Sequence, residues 1–252
     1  MRHLMLVLIA LICFLPLNAN VAFRDGEKLV FTVKYGIVSA AEATLEAKSS
    51  SMNGRSAWNL STDARTYPFF DAFFKVRDRV DSWWDKETLL PIKYTKNLQE
   101  GKYRQRRIHT FDHSNNTTNY QKYSFRQGIY KSEDMKMLAN SQDVLSAFYH
   151  VRNQNLKPKQ RLRVNITSDG RTMNTEIIVH RREKVKTIFG DINCLVIEPK
   201  LISGAVFKQT GRIIIWITDD AYKIPVKMES AVSFGSFVAE LKEAYNVPYK
   251  VK

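Results

Sequence analysis

The sequence predicts a mainly β fold: a curved antiparallel sheet or an open β-barrel of about a dozen strands, with one central helix. Three observations predict it. Apolar residues alternate with polar ones along most of the 252 residues, which is the signature of half-buried strands. Short turn signals punctuate those runs, and short connections join antiparallel neighbours because parallel strands need long crossovers. Only one stretch shows helical spacing. Apolar residues make up 44% of the chain, enough for a core, so wholesale disorder is excluded.

The strands follow in order. In KLVFTVKY, Leu29, Phe31, Val33 and Tyr35 alternate with Lys28, Val30, Thr32 and Lys34; in AEATLEA, Ala43, Leu45 and Ala47 alternate with polar partners. The runs SAWNLSTDART, KVRDRVDSWW, PIKYTKNL, RIHTFD and TTNYQKYSF carry the first half. The second half holds RLRVNITS, NTEIIVHRREKVKTI, CLVIEPKL, GRIIIWIT, PVKMESAV and SFVAELKEAY. Val, Ile, Thr and aromatics dominate them, as strands prefer. Turn signals sit at Tyr35-Gly36, Asn53-Gly54, Glu100-Gly101, Ser168-Asp169-Gly170, Phe189-Gly190-Asp191 and Ser203-Gly204. Between the halves, Val144, Leu145, Phe148 and Val151 recur at helical spacing, with Ser141 as N-cap before Gln142 and Asp143. This predicts a helix over 141–153 within a single domain spanning 20–252, placed to plug or cover the concave side of the sheet.

The N-terminus reads MRHLMLVLIALICFLPLNAN. Arg2 supplies a positive start, the apolar run from Leu4 to Leu15 is too short for the roughly 20 residues of a membrane span, and Pro16 and Ala19 follow. This is the pattern of a signal peptide over 1–19, cleaved after Ala19, and it predicts a periplasmic protein. Cys13 follows Ile12, where a lipid-attachment site wants a small residue, so a lipoprotein form is not expected. Cleavage leaves Cys194, flanked by Leu195, Val196 and Ile197, as a buried strand residue rather than a reactive thiol.

Two stretches share one pattern: WWDKETLLPIKY from Trp83 and WITDDAYKIPVKM from Trp216. Each reads as strand, acidic turn, then a strand opened by Pro91 or Pro225, where a missing N–H costs least. Turn acids bond nearby backbone N–H groups, so Asp85, Glu87, Asp219 and Asp220 are read as turn residues and not as catalytic carboxylates. Together with VRDRVDSWWDKETLLPIKYTKNLQEGKYRQRR, DVLSAFYHVR, TIFGDINCLVIEPKL and GRIIIWITDDAYKIPVKMESAVSFGSFVAEL, these units closely resemble a bacterial exported family catalogued as domain of unknown function 3108. The resemblance runs from Gly26 to about Leu241 and brings no catalytic residues with it. The hairpin alone also resembles one in periplasmic lipoprotein carriers of the LolA/LolB kind. That resemblance implies an open antiparallel barrel with helices plugging an apolar cavity.

No G-x-S-x-G, Walker-type loop, C-x-x-C or H-E-x-x-H occurs in the sequence. His109 and His113 flank Asp112 at a strand end, where the rings need not converge on a metal. No catalytic residue, metal or cofactor is therefore expected.

The formal net charge is +14. Lys75, Arg77 and Arg79 share a strand face, as do Lys102, Arg104 and Arg106, and Arg182, Lys184 and Lys186. These ladders are either a solvated outer face or a positive surface for anionic lipids and polyanions. The export signal argues against nucleic acid. The run YPFFDAFF, with Phe69, Phe70, Phe73 and Phe74, is either a core lid or the mouth of a lipid-sized cavity. The expected function is non-catalytic binding of a hydrophobic, anionic envelope ligand such as a lipid or acyl chain. Phe69, Phe70, Phe73, Phe74, Arg77 and Arg104 are the candidate rim and lining residues. The alternative is a structural or interaction protein with a filled interior, contacting an envelope protein or an anionic membrane surface through its basic face.

Overall fold

The computed structural model describes residues 21–201, 212–232 and 235–251. The leader expected over 1–19, with Arg2, Cys13 and Ala19, and the turn expected at Ser203-Gly204 lie outside the described residues. Within them the chain forms β1 (Glu27–Tyr35), β2 (Val38–Met52), β3 (Arg55–Thr66), α1 (Pro68–Asp71), β4 (Arg77–Asp85), β5 (Pro91–Glu100), β6 (Tyr103–Asp112), β7 (Thr117–Ser124) and β8 (Ile129–Lys136). There follow α2 (Val144–Arg152), β9 (Arg161–Ser168), β10 (Arg171–Thr187), β11 (Gly190–Leu201), β12 (Ile213–Thr218), β13 (Pro225–Val232) and β14 (Gly235–Tyr245).

The fourteen strands form one sheet in the order β8-β7-β6-β5-β4-β3-β2-β1-β14-β13-β12-β11-β10-β9, with antiparallel pairing throughout its ladders. The curved antiparallel sheet is the predicted class. Two elements exceed the expectation. IYKSEDMK forms β8 although nearly every residue in it is exposed, so no burial imprinted an alternation on its sequence. Pro68–Asp71 forms the short helix α1 inside the phenylalanine-rich connection.

Because every connection reverses direction, the sheet has two distinct ends. One carries the turns β1–β2, β3–α1–β4, β5–β6, β7–β8 and β9–β10. The other carries β2–β3, β4–β5, β6–β7, β10–β11 and β12–β13. We call the first the open end and the second the floor, because α2 lies across the second.

The helix is fixed at both of its termini. Its N-cap is Asp143, two residues beyond the Ser141 that the sequence favours. The Asp143 backbone is extended and its carboxylate accepts the N–H groups of Leu145 and Ser146 at 2.8 Å each. Ser146 completes a capping box by accepting the Asp143 N–H at 2.9 Å. Ser141 instead pairs its hydroxyl with that of Thr167 at 2.7 Å. Gln142 ties this end to the β4–β5 turn: it donates to the Leu89 carbonyl at 2.9 Å and accepts the Trp84 indole N–H at 3.1 Å. At the other terminus Arg152, fully buried, forks onto Glu27 at 2.6 and 2.9 Å. It also donates to the carbonyls of Ala22 and Tyr222 at 3.2 and 3.0 Å.

The core fills the floor half. Phe23, Ala47, Leu60, Trp84, Leu145 and Tyr149 pack beneath the helix N-terminal half. Leu29, Phe189, Cys194, Trp216, Ile224 and Val226 fill the other side. The two Trp–turn–Pro units are hairpins at this end. Pro91 and Pro225 open β5 and β13, and Trp83 faces Lys93 across the ladder as Trp216 faces Lys227. Each lysine lies over its tryptophan, at 5.9 and 4.5 Å from the ring centroid. The turn acids do what turn acids do: Asp85 accepts the N–H groups of Glu87 and Thr88, and Asp220 those of Tyr222 and Lys223.

Among the described residues no ladder joins β8 to β9. The seam is bridged by the segment before α2, where Gln142 exchanges backbone bonds with Asn165 and Thr167 of β9, by side chains and by one turn. The β9–β10 tip reaches the β5–β6–β7 wall, where Asp169 accepts a 2.6 Å bond from Lys96 and the Gly170 N–H donates to His109 Nε2 at 3.3 Å. Gly170 sits at φ +72°, and a Cβ there would lie 2.6 Å from a Tyr120 ring carbon. Only glycine gives the tip both the conformation and the clearance.

Candidate functional site

The inner faces of the strands and the upper face of α2 enclose an apolar cavity of about 380 Å³. Its floor is Val144, Ala147, Phe148 and Val151 of the helix; its walls include Phe31, Leu45, Val80, Ile177, Ile197, Ile215 and Met228. Thr62 and Tyr94 contribute the hydroxyl-bearing side chains of the lining, and no charged side chain belongs to it. Val144 and Met228 are 53% and 41% exposed although they line the cavity, so the space is open to solvent. With α2 as its base, it opens away from the floor.

Strand alternation explains the apolar walls. Every second residue of each strand points inward, and curvature brings residues from distant strands around one space. The helix contributes its i, i+3, i+4 and i+7 positions, Val144, Ala147, Phe148 and Val151, as a single face. The sequence reading singled out Val144, Phe148 and Val151 only as a helix signal. The strand contributors carried no mark distinguishing a cavity wall from an ordinary core face.

None of the six residues put forward from the sequence lines this cavity. Phe69, Phe73 and Phe74 are exposed on and beside α1, and Phe70 is half-buried there. Arg77 and Arg104 line a second concavity, a groove of about 430 Å³ on the outer face of the sheet. Strand register assembles that groove. Asp63, Arg79, Asn97 and Arg106 lie in one row across β3 to β6, so the two arginine ladders of the sequence meet. The ladder of Arg182, Lys184 and Lys186 stays apart on β10, with Arg182 paired to Asp219.

The groove is partly neutralised from within. Arg79 pairs with Asp63 and Asp81 at 2.6 Å each, and Arg77 with Asp71 at 2.5 Å. That pairing and a Thr66 hydroxyl hold the Asp71 carboxyl below its ordinary range. Among the described residues Arg104 bonds only backbone carbonyls, those of Gly101 and Tyr103 at 2.7 and 2.8 Å. Arg106 stacks over Tyr123 and Phe125.

Several buried titratable groups are held within the frame of the fold. Burial pushes Asp143 up to about 6 against the bonds it accepts from Ser82, Ser146 and Leu145. It pushes the Cys194 thiol up to about 12, which keeps the thiol protonated. His109 is held down to about 4 by burial among Phe111 and Tyr120. Since its Nε2 accepts from Gly170, its Nδ1 donates to Thr118 at 3.2 Å. His113 instead donates to the Pro91 carbonyl at 2.9 Å. The two rings therefore have separate partners.

Comparison with known proteins agrees with the architecture. The structure is similar to a β-barrel-like protein of domain of unknown function DUF1849 from Brucella abortus. The TM-score is 0.58 at 9% identity, over 89% of this chain and 98% of that one. A putative exported protein with a YmcC-like fold from Bacteroides fragilis matches with a TM-score of 0.32 at 9% identity, over 88% and 97% of the two chains. A putative lipoprotein from Parabacteroides distasonis matches with a TM-score of 0.32 at 10% identity, over 89% and 98%. No curated protein matches the sequence. No helix among the described residues is long and apolar enough to cross a membrane. Residues 30–242 match the family described as "Protein of unknown function (DUF3108)", and the chain belongs to that family.

Proposed function

We propose that this is a non-catalytic periplasmic protein that shelters the apolar part of an envelope molecule, a lipid or acyl chain, in the cavity above α2. One observation carries the reading: a solvent-open space of about 380 Å³ whose lining holds no charged side chain. That volume lies within the roughly 300–1,000 Å³ typical of small-molecule sites. Each methylene moved from water into such a lining contributes about 0.8 kcal/mol. About eight sheltered methylenes would supply about 6 kcal/mol before the cost of association. An anionic headgroup would remain at the mouth, since the walls offer it no cation. The interaction protein with a filled interior is less well supported, because an open apolar space has no role in it. The periplasmic location rests on the signal-like N-terminus.

The test combines native mass spectrometry of protein purified from its own periplasm with titration of a fluorescent long-chain fatty acid. Saturable uptake, lost in Ala43→Phe, is expected, because Ala43 lines the cavity while remaining partly exposed. No co-purifying lipid together with no uptake would overturn the proposal.

A further inference from the structure

We infer that the open end of the sheet is a docking surface for anionic phospholipid membranes: apolar side chains on its turns enter the bilayer interface while unpaired cations around them hold lipid phosphates. The inference does not depend on what the cavity contains.

The two ends of the sheet differ in their turn chemistry. Floor turns present Asn53-Gly54, Lys86-Glu87-Thr88, Ser114-Asn115-Asn116 and Asp219-Asp220, and the aromatic in the β10–β11 turn, Phe189, folds under and is buried. Turns at the open end present large apolar side chains outward. Ile37, at the tip of β1–β2, is 98% exposed; Phe69 and Phe73, beside α1, are 71% and 75% exposed. Phe125 and Ile129 of the β7–β8 connection are exposed as well. A backbone bond from Tyr67 N–H to the Ala40 carbonyl holds the α1 segment against the β1–β2 hairpin. Phe74 lies against Gly101, where an added Cβ would sit 2.8 Å from its ring, which joins this patch to the β5–β6 turn. Isolated exposed apolar residues need no explanation, but several gathered on the turns of one end do.

The charge at that end points to the partner. Arg65, Lys75, Lys102, Arg104 and Arg126 are exposed, and none of them forms an ion pair among the described residues. Of the nearby acids, Asp71 is engaged by Arg77, Glu240 by Lys34 and Glu42 by Lys242, while Asp78 and Glu100 are hydrogen-bonded to each other and burial raises both above the ordinary carboxyl range, which favours their uncharged form. Apolar tips ringed by free cations match the depth profile of an anionic bilayer, with phosphates above and acyl chains below. A protein partner would fit a continuous patch or groove better; here the apolar groups stand on separate convex turns, which a fluid interface accepts individually. The cavity opens away from the floor, so a bilayer docked in this way faces its mouth.

Flotation of the protein with vesicles tests this. Vesicles of equal parts phosphatidylethanolamine and phosphatidylglycerol should carry the protein, and phosphatidylcholine vesicles should carry much less. Triple substitution Ile37→Ser, Phe69→Ser and Phe73→Ser should weaken partition about tenfold or more, since several apolar groups leave the interface together. Lys102→Glu with Arg104→Glu should abolish the preference for phosphatidylglycerol. Tyr245→Ser with Val251→Ser, away from the open end, should leave binding unchanged. All these side chains are exposed, and near-ultraviolet circular dichroism checks that each variant is folded. As an independent readout, Ile37→Trp should shift its emission to the blue on vesicles and be quenched by brominated lipid. Absence of parent binding at low salt would overturn the inference. So would a triple variant that binds like the parent, an Ile37→Trp emission unchanged by vesicles, or equal loss from the Tyr245/Val251 pair.

Discussion

Replacing Glu27 by leucine tests how the floor of the cavity is held. Arg152 is fully buried and Glu27 nearly so, and the carboxylate accepts two of the guanidinium's bonds. Bonds to charged groups are worth about 1.5–3 kcal/mol each, so losing both amounts to about 3–6 kcal/mol. Breaking a buried pair from one side costs about 3–5 kcal/mol in general, because the remaining charge is left uncompensated. The carbonyls of Ala22 and Tyr222 stay in place for Arg152, which favours the lower part of that range. Glu27→Leu should therefore lose about 3–4 kcal/mol in urea denaturation with an unchanged m-value. Adding Arg152→Met should restore most of the loss, since an apolar pair of similar volume is often neutral or better. Fatty-acid uptake should fall in the single variant, because the pair anchors the helix C-terminus beneath the cavity. A loss below about 1 kcal/mol in Glu27→Leu, or a double variant worse than either single one, would refute the latch.

Three further outcomes follow from the frame. His109 has its folded pKa lowered to about 4 from about 6.5 unfolded. The unfolded chain therefore binds more protons between those values, and stability that is full above about pH 6.5 falls by about 3 kcal/mol as pH drops toward 4. Asp143, raised to about 6, acts in the opposite sense over an overlapping window. Parent and His109→Gln should hence be compared by chemical denaturation at each pH, and the acid-side loss should shrink in the variant. Gly170→Ala should cost about 1–3 kcal/mol and speed amide exchange at the β9–β10 tip, because its Cβ meets Tyr120. Asp85→Ala should lower stability by about 1–2 kcal/mol by unpairing the N–H groups of Glu87 and Thr88, readable as a lower Tm, with no effect on fatty-acid uptake.

Legibility in the sequence tracked local chemistry. Alternation exposed every strand that buries one face, and it failed at β8, where both faces meet solvent. The Trp–acid–Pro–Lys units were readable as hairpins because ladder geometry fixes each of those residues. The stacking of Lys93 on Trp83 and of Lys227 on Trp216 adds a reason for the lysine. Asp143 displaced Ser141 as N-cap because Ser82, Gln142 and Thr167 settle the helix start through tertiary bonds. The cavity was the least legible feature. Ala43, Val80 and Ile197 read as core positions, and only the curvature of a fourteen-stranded sheet decides that the space between them stays open. The phenylalanines and arginines were conspicuous in the sequence because they cluster there by type. They gather along the open end and the outer groove instead of around the cavity.

The unpaired seam between β8 and β9 has a mechanical consequence. In a closed barrel the bore follows from strand number and stagger, so it changes only if the ladder breaks. Here the girth is set by contacts across the seam: Lys96 on Asp169 and Gly170 on His109 at the β9–β10 turn, and the stretch before α2 on β9, where Gln142 exchanges backbone bonds with Asn165 and Thr167. Widening the cup costs those few contacts and leaves every ladder intact. The width of the cavity can therefore change while one set of strand ladders stays unchanged.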